Sequence, residues 1–67
     1  MIQFRIKDIL DEQNKSIYWL AEETGITYPS LHKIVNNKTI STKLEFIELI
    51  CKALNCTPND ILEIKKD

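Results

Sequence analysis

The only glycine of the 67-residue chain stands at position 25, with a helical pattern on either side of it. Upstream, Ser16 is a good N-cap, and Ile17, Leu20, Ala21 and Thr24 recur at helical spacing on one face. Gly25 follows just past that helix, where a left-handed backbone is needed and a Cβ would be penalised. Downstream, Thr27 can cap a second helix, with Pro29 in the first turn, where a missing N–H is tolerated. Leu31, Ile34 and Val35 then form a narrow apolar stripe, leaving Tyr28, Pro29, His32 and Lys33 outward. Residues 16–36 therefore read as two short helices joined by a tight turn. The second has a small buried face and a large free one.

The remainder builds a body around that pair. Residues 1–5 alternate apolar and polar, which is a strand-like period, before the spacing turns helical from about 5 to 13. Asn14-Lys15 makes the break before Ser16. After the second helix, Asn36 to Ser41 is a loop in which Asn37 suits a left-handed turn. Thr42-x-x-Glu45 has the form of a capping box, opening a helix whose stripe is Leu44, Ile47, Ile50, Cys51 and Leu54. Asn55 ends it. Thr57-Pro58-Asn59-Asp60 starts a last helical turn, with Ile61, Leu62 and Ile64 as its apolar residues. Leu62 to Lys65 alternates again, so the two ends fit either a small two-stranded pairing or two frayed termini. The expected architecture is one compact all-α domain spanning residues 1–67, with four or five helices and short extended termini.

Charge and cysteine content narrow the function. The net charge of −1 does not describe a generally sticky nucleic-acid binder, but its distribution is uneven. Between Thr24 and Leu44 there is no Asp or Glu, while Lys33, Lys38 and Lys43 give +3, and the rest carries six basic and ten acidic residues, hence −4. Cys51 and Cys56 have no neighbouring His or Cys to complete a metal site, and fit as small apolar residues in a reducing compartment. No apolar run approaches the ~20 residues of a membrane span. With no leader-like pattern before Ile2, the expected location is cytoplasmic.

Three stretches carry a more specific resemblance: Leu20-Ala21-x-x-Thr24-Gly25-Ile26-Thr27, then Leu31-x-x-Ile34-x-Asn36-Asn37-Lys38-Thr39, then Leu49 through Leu62. In order and spacing they resemble the Cro/CI-type (xenobiotic-response-element) helix-turn-helix family of bacterial and phage regulators, over roughly the whole chain. That resemblance implies a lambda-repressor-like fold in which the second helix of the pair enters the major groove of DNA. The N-terminal end of such a helix is driven deepest, so Thr27, Tyr28, Pro29, His32 and Lys33 are the expected base readers. Ser16, Ile17, Asn36, Lys38, Thr39 and Lys43 lie where relatives grip the DNA backbone. Two positions depart from the pattern. Many relatives have Gln at the position of Ile17, whose side chain cannot make that amide's contact; this leaves the backbone N–H groups there, with Lys15 close by. Asn37 stands where many relatives have Gly.

The expected function is a sequence-specific DNA-binding transcriptional regulator, a repressor, reading a palindromic operator as a homodimer. Residues 44–64, including Phe46 and Ile64, are the expected dimer surface. The rival is a protein-interaction module, antitoxin-like or a phage accessory protein, using the same fold without reading DNA. An enzyme is not expected, because one His, no nucleophile–base pair and no metal cluster leave nothing to do chemistry. Neither a cofactor nor a small-molecule ligand is expected. Trp19 and Tyr18 lie off the core stripe: Trp19 fits a ring lying on the surface near Ile17, Glu22 or Glu23 or against the first helix, or else a partner surface.

Overall fold

A computed structural model describes residues 2–39 and 41–65. Met1, at the start of the expected extended segment, Ile40, inside the expected loop, and the last two residues lie outside the described residues. The order is β1 (Ile2–Phe4), α1 (Ile6–Glu12), α2 (Ile17–Thr24), α3 (Tyr28–Val35), α4 (Leu44–Leu54), α5 (Pro58–Ile61) and β2 (Leu62–Ile64). The fold is thus mostly helical, with five helices among the described residues.

The core is assembled from one stripe of each helix. Ile6 and Leu10 of α1, Leu20 of α2, Leu31, Ile34 and Val35 of α3, and Ile47, Ile50, Cys51 and Leu54 of α4 are all buried. Phe4, Ile26 and Ile61 close it from the connecting segments. Each such side chain contributes about 1.5–3 kcal/mol when fully removed from water. The cysteines are free thiols at the edge of this core. Burial pushes the Cys56 thiol up to about 11, so at neutral pH it is a protonated, poorly nucleophilic group.

Left-handed turns end several helices, and asparagine supplies most of them. Asn14, Asn37 and Asn55 have φ of 58°, 57° and 55°, and Gly25 has φ of 76°. Asn tolerates this region better than other residues with a Cβ, which lets the chain manage with one glycine. Asn37 does more than turn. Its Oδ1 accepts from the Phe4 N–H at 2.6 Å and its Nδ2 donates to the Phe4 carbonyl at 3.0 Å, so it clamps β1 to the end of α3.

The two ends of the chain pair. β1 and β2 run antiparallel with Ile2 opposite Ile64, Gln3 opposite Glu63 and Phe4 opposite Leu62. The Arg5 N–H donates to the Ile61 carbonyl at 2.8 Å and prolongs that tie.

Helix starts follow the local signals in part. Ser16 Oγ accepts from the Trp19 N–H at 3.1 Å, as an N-cap should. Thr27 has N-cap backbone geometry but makes no side-chain cap; its hydroxyl donates to Ser30 Oγ at 3.0 Å instead. The Thr42–Glu45 capping box does not form. α4 begins at Leu44 with Lys43 in the cap position, one residue later than that box requires, and Thr42 Oγ1 is buried with no hydrogen-bond partner among the described residues. Leu44, the first residue of α4, keeps its i,i+3 relation to Ile47 but lies beyond the edge of the core, 86% exposed. Ile64 also leaves the apolar face expected of it, 76% exposed in β2 opposite Ile2.

At α5 the capping pattern is present. The Asp60 carboxylate accepts from the Thr57 N–H and from the Thr57 hydroxyl, each at 3.0 Å. Those bonds, with nearby Arg5 adding attraction, hold the Asp60 carboxyl below the usual carboxylate range.

Two outcomes follow from these ties. Asn37→Gly keeps the left-handed backbone but removes both bonds to Phe4, and should lower unfolding stability by about 1–2 kcal/mol; Asn37→Ala adds left-handed strain and should cost about 2–3 kcal/mol. Denaturant titration checks the order, and a glycine variant as stable as the parent would show that the clamp contributes nothing. For Asp60, a carboxyl depressed in the native state stabilises it above the unfolded pKa of about 3.9, and that contribution is lost as pH falls through the lower native value. Asp60→Asn should therefore narrow the fall in thermal midpoint between neutral and strongly acidic pH; parallel curves for the two proteins would refute this.

Candidate nucleic-acid interface

The turn between α2 and α3 is fixed by one side chain. Thr24 is buried; its hydroxyl donates to the Leu20 carbonyl at 2.7 Å and accepts from the Ile26 N–H at 3.2 Å. The Gly25 N–H closes the helix onto the Ala21 carbonyl at 2.9 Å. With Leu20 and Leu31 fully buried beneath the turn, α3 is held with its stripe inward and the opposite side in solvent.

On that outer side the structure brings together most of the expected base readers. Thr27, Pro29 and Lys33 are exposed, and Tyr28 and His32 are half-buried. Tyr28 and His32, one turn apart, have ring centroids 5.8 Å apart. Lys33 lines a cleft of about 380 Å³ together with Ser30, Thr39, Lys43 and Phe46, with Ile34 among its apolar walls. Two of the lysines of the acid-free window thus reach one groove beside α3, and Lys43 Nζ lies 5.6 Å from the centre of the Phe46 ring. Phe46 consequently stands beside α3. Leu44 instead lines a separate cleft of about 430 Å³ with Ile2, Phe4, Ile47 and Leu62.

The expected backbone-gripping residues divide. Ser16 is exposed at the start of α2, and although its oxygen caps the helix its hydroxyl proton remains available to donate. The first N–H groups of α2 beside it have no partners within the helix, which suits an anion. Ile17 turns its half-buried side chain to the core and offers only backbone. Lys15 Nζ lies 4.9 Å over the Trp19 ring at the same helix end, while Trp19 itself is partly buried against the core. Lys38 and Lys43 are exposed. Asn36 Nδ2 caps the His32 carbonyl at 2.9 Å, leaving its Oδ1, an acceptor, outward. Thr39 has its hydroxyl engaged within the loop, donating to the Ser41 carbonyl and accepting from the Ser41 N–H, each at 3.2 Å.

One outward residue was not among the candidates. Tyr18, the second residue of α2, is 67% exposed and stacks on Tyr28 with centroids 4.4 Å apart and planes inclined by 19°. Helical periodicity places Tyr18 off the core stripe, but only the angle between α2 and α3 makes the two rings neighbours.

The model of the Cro/C1-type HTH DNA-binding domain matches residues 5–67. The chain belongs to that family. Among curated relatives, it is 39% identical over 66 residues to YozG of Bacillus subtilis, an uncharacterised HTH-type transcriptional regulator, covering 98% of this chain and 79% of the relative. Among solved structures, it superposes on a candidate DNA-binding protein from Bacteroides fragilis with a TM-score of 0.83 and 27% identity, covering 94% of this chain and all of that one. Cro/C1-type domains are a DNA-binding class, not an enzyme class. No group of three or more His, Cys, Asp or Glu side chains able to hold a metal occurs among the described residues. No described helix is long and apolar enough to cross a membrane.

Proposed function

We propose that this Cro/C1-type protein is a sequence-specific transcriptional repressor that works in the cytoplasm, binds a palindromic operator as a homodimer and uses residues 1–67 as one unit. The observation that carries this is the outer side of α3, where Thr27, Tyr28, Pro29, His32 and Lys33 stand together in a stretch devoid of carboxylates. A major groove about 12 Å wide admits one such helix and reads it through side chains at its N-terminal end. Lys33 binds the acceptor edge of guanine. Tyr28 and His32 supply apolar and polar contacts, and Pro29 and Thr27 meet the groove wall. Ser16, the α2 backbone at Ile17, Asn36, Lys38, Thr39 and Lys43 hold the phosphates; Thr39 acts through the loop it shapes, and Asn36 through the helix end it caps.

One recognition helix covers too few base pairs for useful specificity, whereas two copies about 34–36 Å apart read a palindrome. The described residues measure 35 × 22 × 18 Å, so two copies side by side can span that distance. The apolar cleft at Ile2, Leu44 and Leu62, with exposed Ile64 beside Ile2 in the sheet, supports a contact between copies there. Occupancy of the duplex is by itself enough to exclude polymerase, which favours repression. Free Cys51 and Cys56 suit the reducing cytoplasm.

Selection of bound duplexes from a random pool, followed by salt titration on the winner, tests this. An enriched palindrome whose affinity falls steeply with salt is expected. Lys33→Ala should weaken binding by ~1–3 kcal/mol and relax preference at one position, while Lys38→Ala or Lys43→Ala should weaken all duplexes alike and lower the salt slope by about one. No enriched sequence and a flat salt response would favour the antitoxin-like protein-interaction module instead.

A further inference from the structure

Tyr18 has no part in the roles assigned above. Burial does not explain it, since two-thirds of its surface stays in water. Its ring nevertheless lies near-parallel over Tyr28, at a separation favoured for aromatic pairs. Tyr28 in turn neighbours His32, so three rings form a row from the start of α2 across the turn into α3. Tyr28 is the first residue of α3 and has no preceding helical turn of its own to pack against. A long side chain at such a position samples several staggered rotamers unless a neighbour selects one. Ile17, just before Tyr18, packs inward on the core and is not that neighbour.

We propose that Tyr18 is a positioning residue for base recognition. By stacking on Tyr28 it fixes the direction in which that ring enters the groove, and so sets the preference at the base pair facing Tyr28. This rests on the DNA-binding function proposed above.

The test compares Tyr18→Phe, Tyr18→Leu, Tyr18→Ala, Tyr28→Ala and the Tyr18→Ala/Tyr28→Ala double variant on duplexes selected by the parent protein. Tyr18→Phe keeps the stack and should keep the base preference. Tyr18→Ala and Tyr18→Leu should lower affinity for the preferred duplex by roughly two- to tenfold, the range such a ring pair supports. They should lose discrimination at the same base pair as Tyr28→Ala, with a salt slope close to the parent's and a thermal midpoint lowered no further than in Tyr28→Ala, which breaks the same stack. The double variant should bind no worse than Tyr28→Ala alone, because Tyr18 acts through Tyr28. Unchanged base preference in Tyr18→Ala and Tyr18→Leu would overturn the proposal, as would losses that add independently in the double variant. If the parent enriches no duplex, the DNA-binding function falls and this proposal with it; an enriched site that ignores Tyr18 overturns the positioning role alone.

Discussion

The Thr24 hydroxyl, buried between α2 and α3, donates to the Leu20 carbonyl and accepts from the Ile26 N–H, and every outward side chain of α3 depends on the angle it helps to hold. A buried hydroxyl with both roles satisfied stabilises the fold, whereas one left unsatisfied would cost about 1–3 kcal/mol. Gly25 completes the turn with a left-handed backbone, and Leu20 and Leu31 anchor the helices from beneath. The polar contact sets the corner and the apolar contacts supply most of the stabilisation. Because α3 shows only a narrow stripe to the core, the rest of its circumference is left for recognition.

Charge follows the same division. The stretch from Thr24 to Leu44 holds lysines and no carboxylates, and the fold sets Lys33 and Lys43 in one cleft beside α3. Carboxylates gather elsewhere: Asp8, Glu12 and Asp60 line a separate cleft with Arg5. An uneven charge distribution of this kind orients a protein on approach to a polyanion although the total charge is negative. Affinity would then be modest at moderate salt, with specificity resting on groove contacts more than on bulk attraction.

Most of what could be read from the sequence lies within a few residues along the chain. Ser16 and Trp19, Gly25, Asn55, and Thr57 with Asp60 are local relationships set by helix geometry, and residue type alone indicates them. The inward stripe of α3 was legible for the same reason. Thr42 misled because α4 starts one residue later than its capping pattern requires, with Lys43 at the cap and no side-chain cap bond; Leu44, at the very start of the helix, lies beyond the edge of the core. Contacts across long separations were not legible in detail. The alternation of both ends fitted pairing and fraying alike until the register of Ile2 with Ile64 settled it. Asn37 announced a left-handed turn, but its clamp on Phe4, 33 residues away, needs the tertiary structure. Tyr18 and Tyr28 are ten apart on different helices, and nothing in either helix's period joins them.

The central claim is that the solvent side of α3, with the start of α2, meets the duplex. Amide chemical-shift mapping of the labelled protein on titration with a selected operator addresses it most directly. The largest changes are expected at Tyr18, Tyr28, Ser30 and Lys33, with small ones at Asp8 and Glu12 of the acidic cleft. Large changes confined to α1 and α5, with the α3 amides unmoved at saturation, would contradict it.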